Sequence, residues 1–492
     1  MSIIIGVDIG TSNIKVIAFG SDYEILLSES APCEMFQDSP DRMEQNAAEL
    51  LDTVNRLLKK MCIQLPPDQL KGICFSTAMH SIMAVDEQNK PLTNASLWGD
   101  TRSTAQANRL EKNGLAIQWY RQTGVPVHPS MPVCKLLWLR EHEPDIFRKA
   151  YKFISIKEYV FYEWFGKYLV DHSIAGASGM QDIHHLTWSK TALEVTGIDE
   201  NRLSRIVPVT HTETMLTEKY SRFFGMDKVP FIIGSSDGCL ANIGSGVFHE
   251  RMAAITIGTS GAIRTTLSAP VLNEEPVLFC YPVLENLYIK GGAINNGGKA
   301  LQWFAEHFLK GEMVSSDLFS KAIELAGEVS PGSEGLLFLP YLQGERAPVW
   351  NGNARGVFFG IHSNHGRSHF ARAVLEGIGY AMYDVFCELN QPDDFIDALL
   401  ASGGFVQSPF WVQLIADIFN KKIVVNNVSD ASATGAAVLG RFALGLITKP
   451  EYNASSGQKQ TFYPNAKTHE IYRKRFLAFR SLYKAVKKEF IS

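Results

Sequence analysis

The first residues able to do chemistry lie near the N-terminus, where a short polar turn joins two apolar runs. Asp8 ends the first run, and Gly10, Thr11 and Ser12 form the turn. Glycine allows a ligand to approach the backbone closely, and successive N–H groups in a turn form a concavity that suits phosphate oxygens. A carboxylate at the strand end could hold a hydrated Mg²⁺ beside that phosphate. This stretch alone is equally compatible with an ordinary hairpin that exposes a solvated aspartate.

The same turn recurs about half a chain length downstream. The sequence Ile-Gly-Thr-Ser occupies residues 9–12 and again residues 257–260, where it contains Gly258, Thr259 and Ser260. Thr256 stands where the first copy has Asp8. A repeat at this distance indicates a duplicated lobe, each copy with its own phosphate hairpin. On this interpretation the first lobe alone contributes a metal-binding carboxylate from its hairpin.

Asp237 is the candidate general base. It follows an apolar run at 229–234, predicted to be a buried strand, and precedes a predicted helix at 239–243. Ligand sites of α/β proteins lie at the carboxyl ends of strands, and a helix N-terminus favours an ionised carboxylate. A carboxylate in this position could accept a proton from a substrate hydroxyl. The alternative is an aspartate that caps the helix and has no chemical role.

Three polar residues in predicted loops are candidates for substrate binding. His80 follows a predicted strand at 72–75, and Asp100 and Arg102 follow a short apolar stretch. Binding residues concentrate in loops, and an Asp–Arg pair can present a hydrogen-bonding fork to a polyhydroxylated ligand. The alternative is an N-cap aspartate beside a surface arginine. A further segment at 171–182, rich in Ser, Gly and Ala, is expected to be a loop that allows close backbone approach.

Glycine-rich junctions in the second half of the chain are candidates for nucleotide binding. Gly298 opens a predicted helix in which Gln302 lies one turn further on, so its side chain could face a base. Gly403 and Gly404 join a predicted strand to a helix that begins near Ser408. Helix N-termini of this kind bind anions or nucleotide edges. The segment 291–303 is not a Walker loop, because no glycine precedes Gly298 by five residues and Ala300 replaces the required hydroxyl residue.

Length and composition indicate a two-domain globular protein. The chain has 492 residues, too many for one core, and we expect a boundary near 244–250 that separates lobes at 1–247 and 248–492. A net charge of −4 gives no basic surface for nucleic acid. The seven cysteines are scattered, which favours a reduced cytoplasm over a disulfide or zinc framework. No signal peptide or membrane span is expected, and a terminal helix with an aromatic stripe at 472–490 is expected to pack on its own lobe.

Two long patterns give the chain a resemblance to the FGGY carbohydrate kinases that covers nearly its whole length. The first matches the family's first signature with Ser130, Pro132, Lys135, Leu136, Trp138, Leu139, Glu141 and His142. The second signature is matched by Gly356, Phe358, Gly360 and Ile361, followed by His369, Phe370, Ala373, Val374, Leu375 and Glu376. Each pattern fixes many positions, so a chance double match is improbable.

The resemblance implies an α/β fold of two actin-like (ribonuclease H-like) lobes flanking a cleft that holds ATP and a sugar. It assigns Asp237 as general base and puts Asp8, the candidate Mg²⁺ ligand, in the first phosphate loop, with the substrate at His80, Asp100, Arg102 and Asp237. It also implies three sets of ATP-binding positions: the first phosphate loop with Gly10, Thr11, Ser12 and Lys15; the second loop with Gly258, Thr259 and Ser260; and the nucleotide pocket with Gly298, Gln302, Gly403, Gly404 and Ser408.

Within the family, the stretches around His80 and His184 resemble gluconate kinases most, followed by xylulose kinases. Many members have Gly-Gln-Met-His where this chain has Thr77 to His80, and this departure bears on which sugar is bound. The resemblance implies an ATP-dependent kinase for a small sugar or sugar acid, most similar to those for D-gluconate. Xylulose or another sugar remains the alternative, as do an actin-like ATPase and an inactive sugar sensor. The oligomeric state is open, with a homodimer among the options.

Overall fold

The protein is described by a computed structural model that covers residues 2–226, 228–310, 318–391, 395–425, 430–451 and 460–490. Within these ranges, none of the helices combines the length and the apolar character that a membrane crossing requires.

The chain forms two compact units that do not follow a single cut in the sequence. The first unit comprises Met1–Phe248, Leu267–Ile289 and Val428–Ala454, and the second comprises His249–Thr266, Lys290–Asn427 and Ser455–Ser492. The boundary after Phe248 lies one residue from the division expected at 247. The two later segments of the first unit differ from that expectation, since the sequence alone placed them in the second lobe.

The elements are numbered in chain order. The strands are β1 Ile3–Ile9, β2 Asn13–Phe19, β3 Ile25–Pro32, β4 Glu44–Gln45, β5 Leu70–Thr77, β6 Met83–Val85, β7 Ala95–Ser96, β8 Lys152–Ile154, β9 Leu169–Asp171, β10 Arg205–Val207, β11 Thr212–Glu213, β12 Phe231–Ser236, β13 Met252–Ile257, β14 Gly261–Leu267, β15 Phe279–Leu284, β16 Leu287–Ile294, β17 Leu337–Leu339, β18 Val357–Phe359, β19 Ala398–Ser402, β20 Lys422–Val425 and β21 Gln460–Phe462.

The helices follow the same order. They are α1 Ala47–Gln64, α2 Thr104–Lys112, α3 Leu115–Thr123, α4 Pro132–His142, α5 Pro144–Lys149, α6 Ile156–Phe165, α7 His172–Ala177, α8 Lys190–Thr196, α9 Glu218–Phe224, α10 Asp237–Gly244, α11 Gly298–Phe308, α12 Leu318–Gly327, α13 Arg367–Leu389, α14 Pro409–Phe419, α15 Ala431–Ala443 and α16 Ala466–Val486.

A six-stranded sheet in the order β11-β12-β5-β1-β2-β3 forms the centre of the first unit. β1 runs parallel to β5, and β5 runs parallel to β12, whereas β1 and β2 form the antiparallel hairpin expected from the sequence. Parallel neighbours end at the same edge of a sheet. Asp8, Ser76 and Asp237 therefore lie at or just beyond one edge, although they are far apart in the chain.

Two sets of helices pack this sheet. α1 begins after Asn46, whose side chain accepts hydrogen bonds from the N–H groups of Ala48 and Glu49, and it buries an apolar face. α15 crosses α10 closely enough that a Cβ on Gly435 would lie 2.0 Å from the carbonyl oxygen of Leu240. This close backbone contact explains why the segment that contains α15 belongs to the first unit.

The second unit repeats the hairpin and the parallel crossover. Its neighbouring strands include β14-β13-β19-β20-β21, with β13 and β14 antiparallel and β13 and β19 parallel. The terminal helix α16 buries Tyr472, Phe476 and Phe479, and it packs on α13, α14 and β17 of the same unit. The prediction that this helix packs on its own lobe is confirmed.

One local prediction is wrong. The segment expected to be a loop at 171–182 contains α7, and Asp171 caps that helix by accepting hydrogen bonds from the N–H groups of Ser173 and Ile174. The small residues lie inside the protein, because Ser173 to Ala177 are all buried in this helix. Helix α4 begins at Pro132, the position at which proline suits a helix start.

Candidate active site

The first phosphate hairpin has a tight turn that requires glycine. The Gly10 N–H donates to the carbonyl oxygen of Asn13 at 3.1 Å, and a Cβ on Gly10 would lie 2.9 Å from that oxygen. Thr11 is held from two sides, because Gln45 Nε2 donates to its carbonyl oxygen at 2.8 Å and Trp98 Nε1 donates to its Oγ1 at 3.2 Å. Ser12 stays exposed at the tip. The turn is therefore fixed while its outer surface remains accessible to a phosphate.

Asp8 lies between two hydroxyl groups from distant parts of the chain. Ser76 Oγ donates to Asp8 Oδ1 at 2.6 Å, and Ser432 Oγ donates to Asp8 Oδ2 at 2.8 Å. Burial raises the pKa of this carboxyl, and the two hydroxyls and Lys15 oppose the shift. Because burial removes a carboxylate from water, a nearby cation would stabilise its charged form.

Lys15 lies directly across the hairpin from Asp8 in the β1–β2 register. Its ammonium group pairs with the carboxylate of Asp430, the residue before α15. Lys15 remains partly exposed, with 39% of its side chain accessible. The structure thus gives this predicted phosphate-loop residue a carboxylate partner that the local motif did not reveal.

Asp237 is the first residue of α10 and follows β12 directly, as the sequence predicted. Its side chain is partly exposed, and its Oδ1 accepts a hydrogen bond from the N–H of Gly238 at 2.6 Å. Ser235 and Ser236, the last two residues of β12, pair with Ser76 and Thr77 of β5. Asp237 therefore extends from the same sheet edge as Asp8, separated from β1 by one strand.

His80 lies in the loop after β5 with a backbone φ of 68°, a left-handed conformation that few non-glycine residues adopt. Its Nδ1 lies 2.9 Å from the carbonyl oxygen of Ala177. The carbonyl oxygen of His80 accepts a 2.8 Å hydrogen bond from Nζ of Lys135, which also donates to the carbonyl oxygen of Leu97. Burial lowers the pKa of Lys135 to about 7. A lysine from the first signature thus ties the His80 loop to the segment that carries Trp98.

Asp100 and Arg102 form the predicted pair, but a third residue joins them. Arg102 Nη2 donates to Asp100 Oδ2 at 2.7 Å and also contacts Glu44 Oε1, and its guanidinium carbon lies 4.6 Å from the ring centroid of Trp138. Asp100 and Glu44 are almost fully buried. All four side chains line a cavity of about 580 Å³ whose lining includes neither His80 nor Asp237. The structure therefore joins Asp100 and Arg102 to each other but does not place them in one cavity with His80.

The predicted nucleotide-binding glycines come together in the second unit. The N–H of Gly298 donates to the carbonyl oxygen of Gly258 at 2.7 Å, so α11 begins against the second phosphate hairpin. Thr259 is exposed at the tip of that hairpin, and its carbonyl oxygen accepts from Gly297 and Lys299. Ser260 lies at the same turn, where its carbonyl oxygen accepts a 2.9 Å hydrogen bond from the N–H of Gly258.

The second glycine junction reaches the same hairpin from the neighbouring strand. Gly403 has a φ of 97°, and a Cβ on it would lie 2.6 Å from the carbonyl oxygen of Ile257. Gly404 begins a short 3₁₀ helix and is exposed. Gln302 is also exposed and bonds to Glu306, whereas Ser408 caps α14 by accepting from the N–H of Trp411. The cap role of Ser408 is sufficient to explain its position.

A buried carboxylate that sequence reasoning missed supports the turn before α11. Glu345 accepts hydrogen bonds from the N–H groups of Asn295 and Arg346 and from Asn296 Nδ2. Burial raises the pKa of Glu345 to about 7. The Gly-Glu-Arg sequence at 344–346 was a signal that could have been noticed, but nothing local in it connects it to residues 295–298.

The donor set around Asp8 fits magnesium better than a transition metal. Among the residues that the structure describes, no group of three or more His, Cys, Asp or Glu side chains is arranged to hold a metal ion. Mg²⁺ characteristically keeps several waters and binds through one or two carboxylates together with substrate phosphates. Asp8, with Ser76 and Ser432 holding its oxygens, offers one such carboxylate.

Comparison with known protein families identifies the class of protein to which this chain belongs. The N-terminal domain of the FGGY family of carbohydrate kinases matches residues 3–244, and the C-terminal domain of that family matches residues 253–444. The chain belongs to the FGGY family of carbohydrate kinases, and its two-domain α/β fold is the fold of that family.

Sequence identity to individual relatives differs between two kinds of sugar kinase. The chain is 37% identical to a gluconokinase of Bacillus licheniformis over 99% of its length and 97% of the relative. It is 29% identical to a xylulose kinase of Staphylococcus epidermidis over 99% of its length and 97% of the relative.

Two solved structures from Lactobacillus acidophilus are similar to this chain. A gluconate kinase has a TM-score of 0.92 at 32% identity and covers 99% of this chain and 98% of its own. A ligand-bound xylulose kinase has a TM-score of 0.94 at 32% identity and covers 100% of this chain and 99% of its own. The solved structures therefore do not separate the two sugars.

Proposed function

We propose that the protein transfers the γ-phosphoryl group of ATP to the primary hydroxyl of D-gluconate, forming 6-phospho-D-gluconate. The observation that carries the choice of substrate is the difference between 37% identity to a gluconokinase and 29% identity to a xylulose kinase over the same share of the chain. Phosphorylation of D-xylulose is the second candidate, supported by the equal similarity of the two solved structures.

Asp237 acts as the general base in this proposal. It follows β12 directly and is the first residue of α10, where the helix N-terminus favours a negative charge. The carboxylate accepts the proton of the primary hydroxyl as the oxygen attacks the γ-phosphorus. Phosphoryl transfer depends mainly on positioning and charge stabilisation, so the base has to be held firmly.

Each unit has one hairpin that we assign to phosphate binding, and Asp8 belongs to the hairpin of the first unit. Thr11 and Ser12 of the first hairpin and Thr259 and Ser260 of the second offer hydroxyls and N–H groups to phosphate oxygens. Gly298, Gln302, Gly403, Gly404 and Ser408 are assigned to the nucleotide. Asp8 would hold Mg²⁺, which when bound neutralises part of the charge on the phosphate oxygens.

His80, Asp100 and Arg102 are assigned to the substrate by the family pattern, with different roles suggested by their contacts. Gluconate is an anion, so its carboxylate needs a cation or several donors once buried. Arg102 already contacts two carboxylates, Asp100 and Glu44, which leaves it little unbalanced charge for a third. We therefore assign Arg102 to holding Glu44 and Asp100 in place and His80 to direct contact with the substrate.

We also propose a cytoplasmic location. The described cysteines are free thiols, and burial raises the pKa of several of them, including that of Cys62 to about 12. Free, unreactive thiols suit a reducing compartment.

The test of the function is ATP-dependent ADP release over a panel of substrates: D-gluconate, D-xylulose, D-ribulose and glycerol. We expect turnover with each accepted sugar to depend on Mg²⁺ and kcat/KM to be highest for gluconate. A higher kcat/KM for xylulose would show that xylulose, and not gluconate, is the preferred substrate, and the assignment as a kinase would stand. ADP release that no sugar stimulates would instead favour an ATPase without sugar transfer.

A further inference from the structure

We propose that Lys157, Asp171 and Ser173 form a buried positioning network that fixes the end of β12 and so sets the orientation of Asp237. None of the three touches a reacting atom, and each acts through the backbone that carries the base. This inference rests on the proposed function, because it assigns these residues to the same site.

The strand that delivers Asp237 is irregular just before it ends. The register of β12 against β5 shifts between Ile232 and Ser235. Gly234 lies within this shift with a φ of 69°, and a Cβ there would lie 1.7 Å from the carbonyl oxygen of Phe75. Irregularities of this kind redirect the side chains that follow them, and they weaken the ladder as a means of holding the strand. The ladder resumes at Ser235 and Ser236, which pair with Ser76 and Thr77 of β5, and a second set of contacts holds the same two residues from α7.

Ser173 of α7 supplies those contacts with a single hydroxyl. Its Oγ accepts hydrogen bonds from Ser235 Oγ at 2.7 Å and from the N–H of Ser236 at 2.8 Å. The same hydroxyl donates to Asp171 Oδ1 at 2.5 Å. A hydroxyl has one donor and two acceptor positions, so the bonding capacity of Ser173 is fully used. Its orientation is thereby fixed, and with it the residue immediately before Asp237.

Lys157 and Asp171 hold Ser173 and the end of β12 in place. Lys157 Nζ donates to Asp171 Oδ2 at 2.7 Å and to the carbonyl oxygen of Ser235 at 3.1 Å. Both side chains of the pair have no exposed surface. The ammonium group thus links the end of β12 to the aspartate that caps α7.

The burial of this ion pair points to a role in positioning. Desolvation of two charges can cost more than their attraction returns, and apolar residues of similar volume often stabilise a fold equally well. The attested benefit of such pairs is the specification of one geometry. Here the specified geometry is that of Ser235 and Ser236, the two residues that lead to Asp237.

The test is a double-mutant cycle between Ser173→Ala and Asp237→Asn, with initial rates measured on gluconate and MgATP. Ser173→Ala alone is expected to lower kcat by about 100-fold with little change in either KM, since small displacements of catalytic groups have effects of that size. In the Asp237→Asn background the same change is expected to alter kcat by no more than about twofold, the scatter with which independent effects add. Loss of the effect in this background is a readout that a merely structural role would not produce.

Ser189→Ala is the matched control. Ser189 is also buried and caps a helix of the first unit, α8, by accepting from the N–H of Ala192 at 3.2 Å. It is expected to lower the melting temperature without a selective loss of kcat. If Ser173→Ala does not fold, Ser235→Ala replaces it in the cycle, because it removes one donor to Ser173 and leaves the bond from Ser236. A smaller loss that disappears in the Asp237→Asn background is then expected.

Two results would overturn the proposal, and they are distinguishable. If Asp237→Asn is impaired but the serine substitution lowers kcat equally in both backgrounds, the network is structural and the proposed function stands. If Asp237→Asn retains wild-type turnover, the proposed base is wrong, and the positioning role is lost with it.

Discussion

Ser76 Oγ donates a 2.6 Å hydrogen bond to Asp8 Oδ1 across two neighbouring parallel strands. This contact holds the one hairpin carboxylate of the first unit at the sheet edge from which Asp237 also extends. The bond favours the ionised form of Asp8, while burial of the carboxyl is the larger influence and raises its pKa. A cation bound beside Asp8 would offset part of the cost of burying its negative charge.

We predict that Asp8→Asn abolishes most activity but does not destabilise the protein. A carboxyl whose folded-state pKa is raised binds its proton more tightly in the folded state. Its contribution to stability is therefore present at acid pH and is lost as the pH rises from about 3.8 through the raised value. The neutral amide avoids this loss at pH 7.

Thermal melting without nucleotide, together with initial rates over a range of Mg²⁺ concentrations, checks this prediction. Exposed Asp52 provides the control, since Asp52→Asn in α1 should change neither property. Wild-type turnover of Asp8→Asn at limiting Mg²⁺ would show that Asp8 does not bind the metal.

Asp237→Asn should lower kcat by about 10²–10⁴-fold, the usual contribution of a positioned general base. Binding should change little, because asparagine is nearly isosteric and its carbonyl can still accept the hydrogen bond from Gly238. Steady-state kinetics with both substrates, and calorimetric titration of gluconate, separate the two effects. A variant within a few-fold of wild type would remove Asp237 from the mechanism.

Arg102→Ala should destabilise the first unit and weaken binding of all substrates alike. The substitution leaves buried Asp100 without its ion-pair partner, while Glu44 keeps its ion pair with Arg42, and we expect it to lower the free energy of unfolding by about 3 kcal/mol. Arg109→Ala is the control, since that arginine pairs with Glu141 at an exposed site and contributes little.

The kinetic part of the Arg102 prediction compares KM for gluconate with KM for a neutral sugar that is still accepted. Equal increases are expected from a residue that holds the site together. A selective increase for gluconate would instead show that Arg102 binds the substrate carboxylate directly.

Gly298→Ala should raise the KM for ATP and leave the KM for the sugar nearly unchanged. A Cβ at this position would lie 2.8 Å from the carbonyl oxygen of Gly258 and would force α11 away from the second hairpin. Gly352→Ala is a matched control in the same unit, because nothing lies within 4 Å of a Cβ added there. Equal KM values for ATP in the two variants would argue against this junction as part of the nucleotide site.

Features that depend on residues close together in the chain could be predicted from the sequence. The Gly10 turn and the strand that ends before Asp237 follow from glycine placement and from the runs of apolar residues, and the structure has both of them. The two signature patterns identified the family, and the family in turn implied the fold.

The contacts that the sequence could not supply join residues far apart in the chain. Ser432 reaches Asp8 across 424 positions, and Asp430 reaches Lys15 across 415. No local pattern marks these serine and aspartate residues, because their role depends on how α15 packs against the first sheet. Glu44 was missed for the same reason, and the helix after Asp171 was missed because its small residues are also typical of loops.

We propose gluconate as the preferred acceptor of the phosphoryl group of ATP. The most direct measurement is a competition in which equal concentrations of D-gluconate and D-xylulose share a limiting amount of MgATP, with the phosphate esters quantified by ³¹P NMR. The product ratio equals the ratio of the two kcat/KM values, and we predict that 6-phosphogluconate is the major product. A mixture dominated by the phosphate ester of xylulose would contradict the assignment.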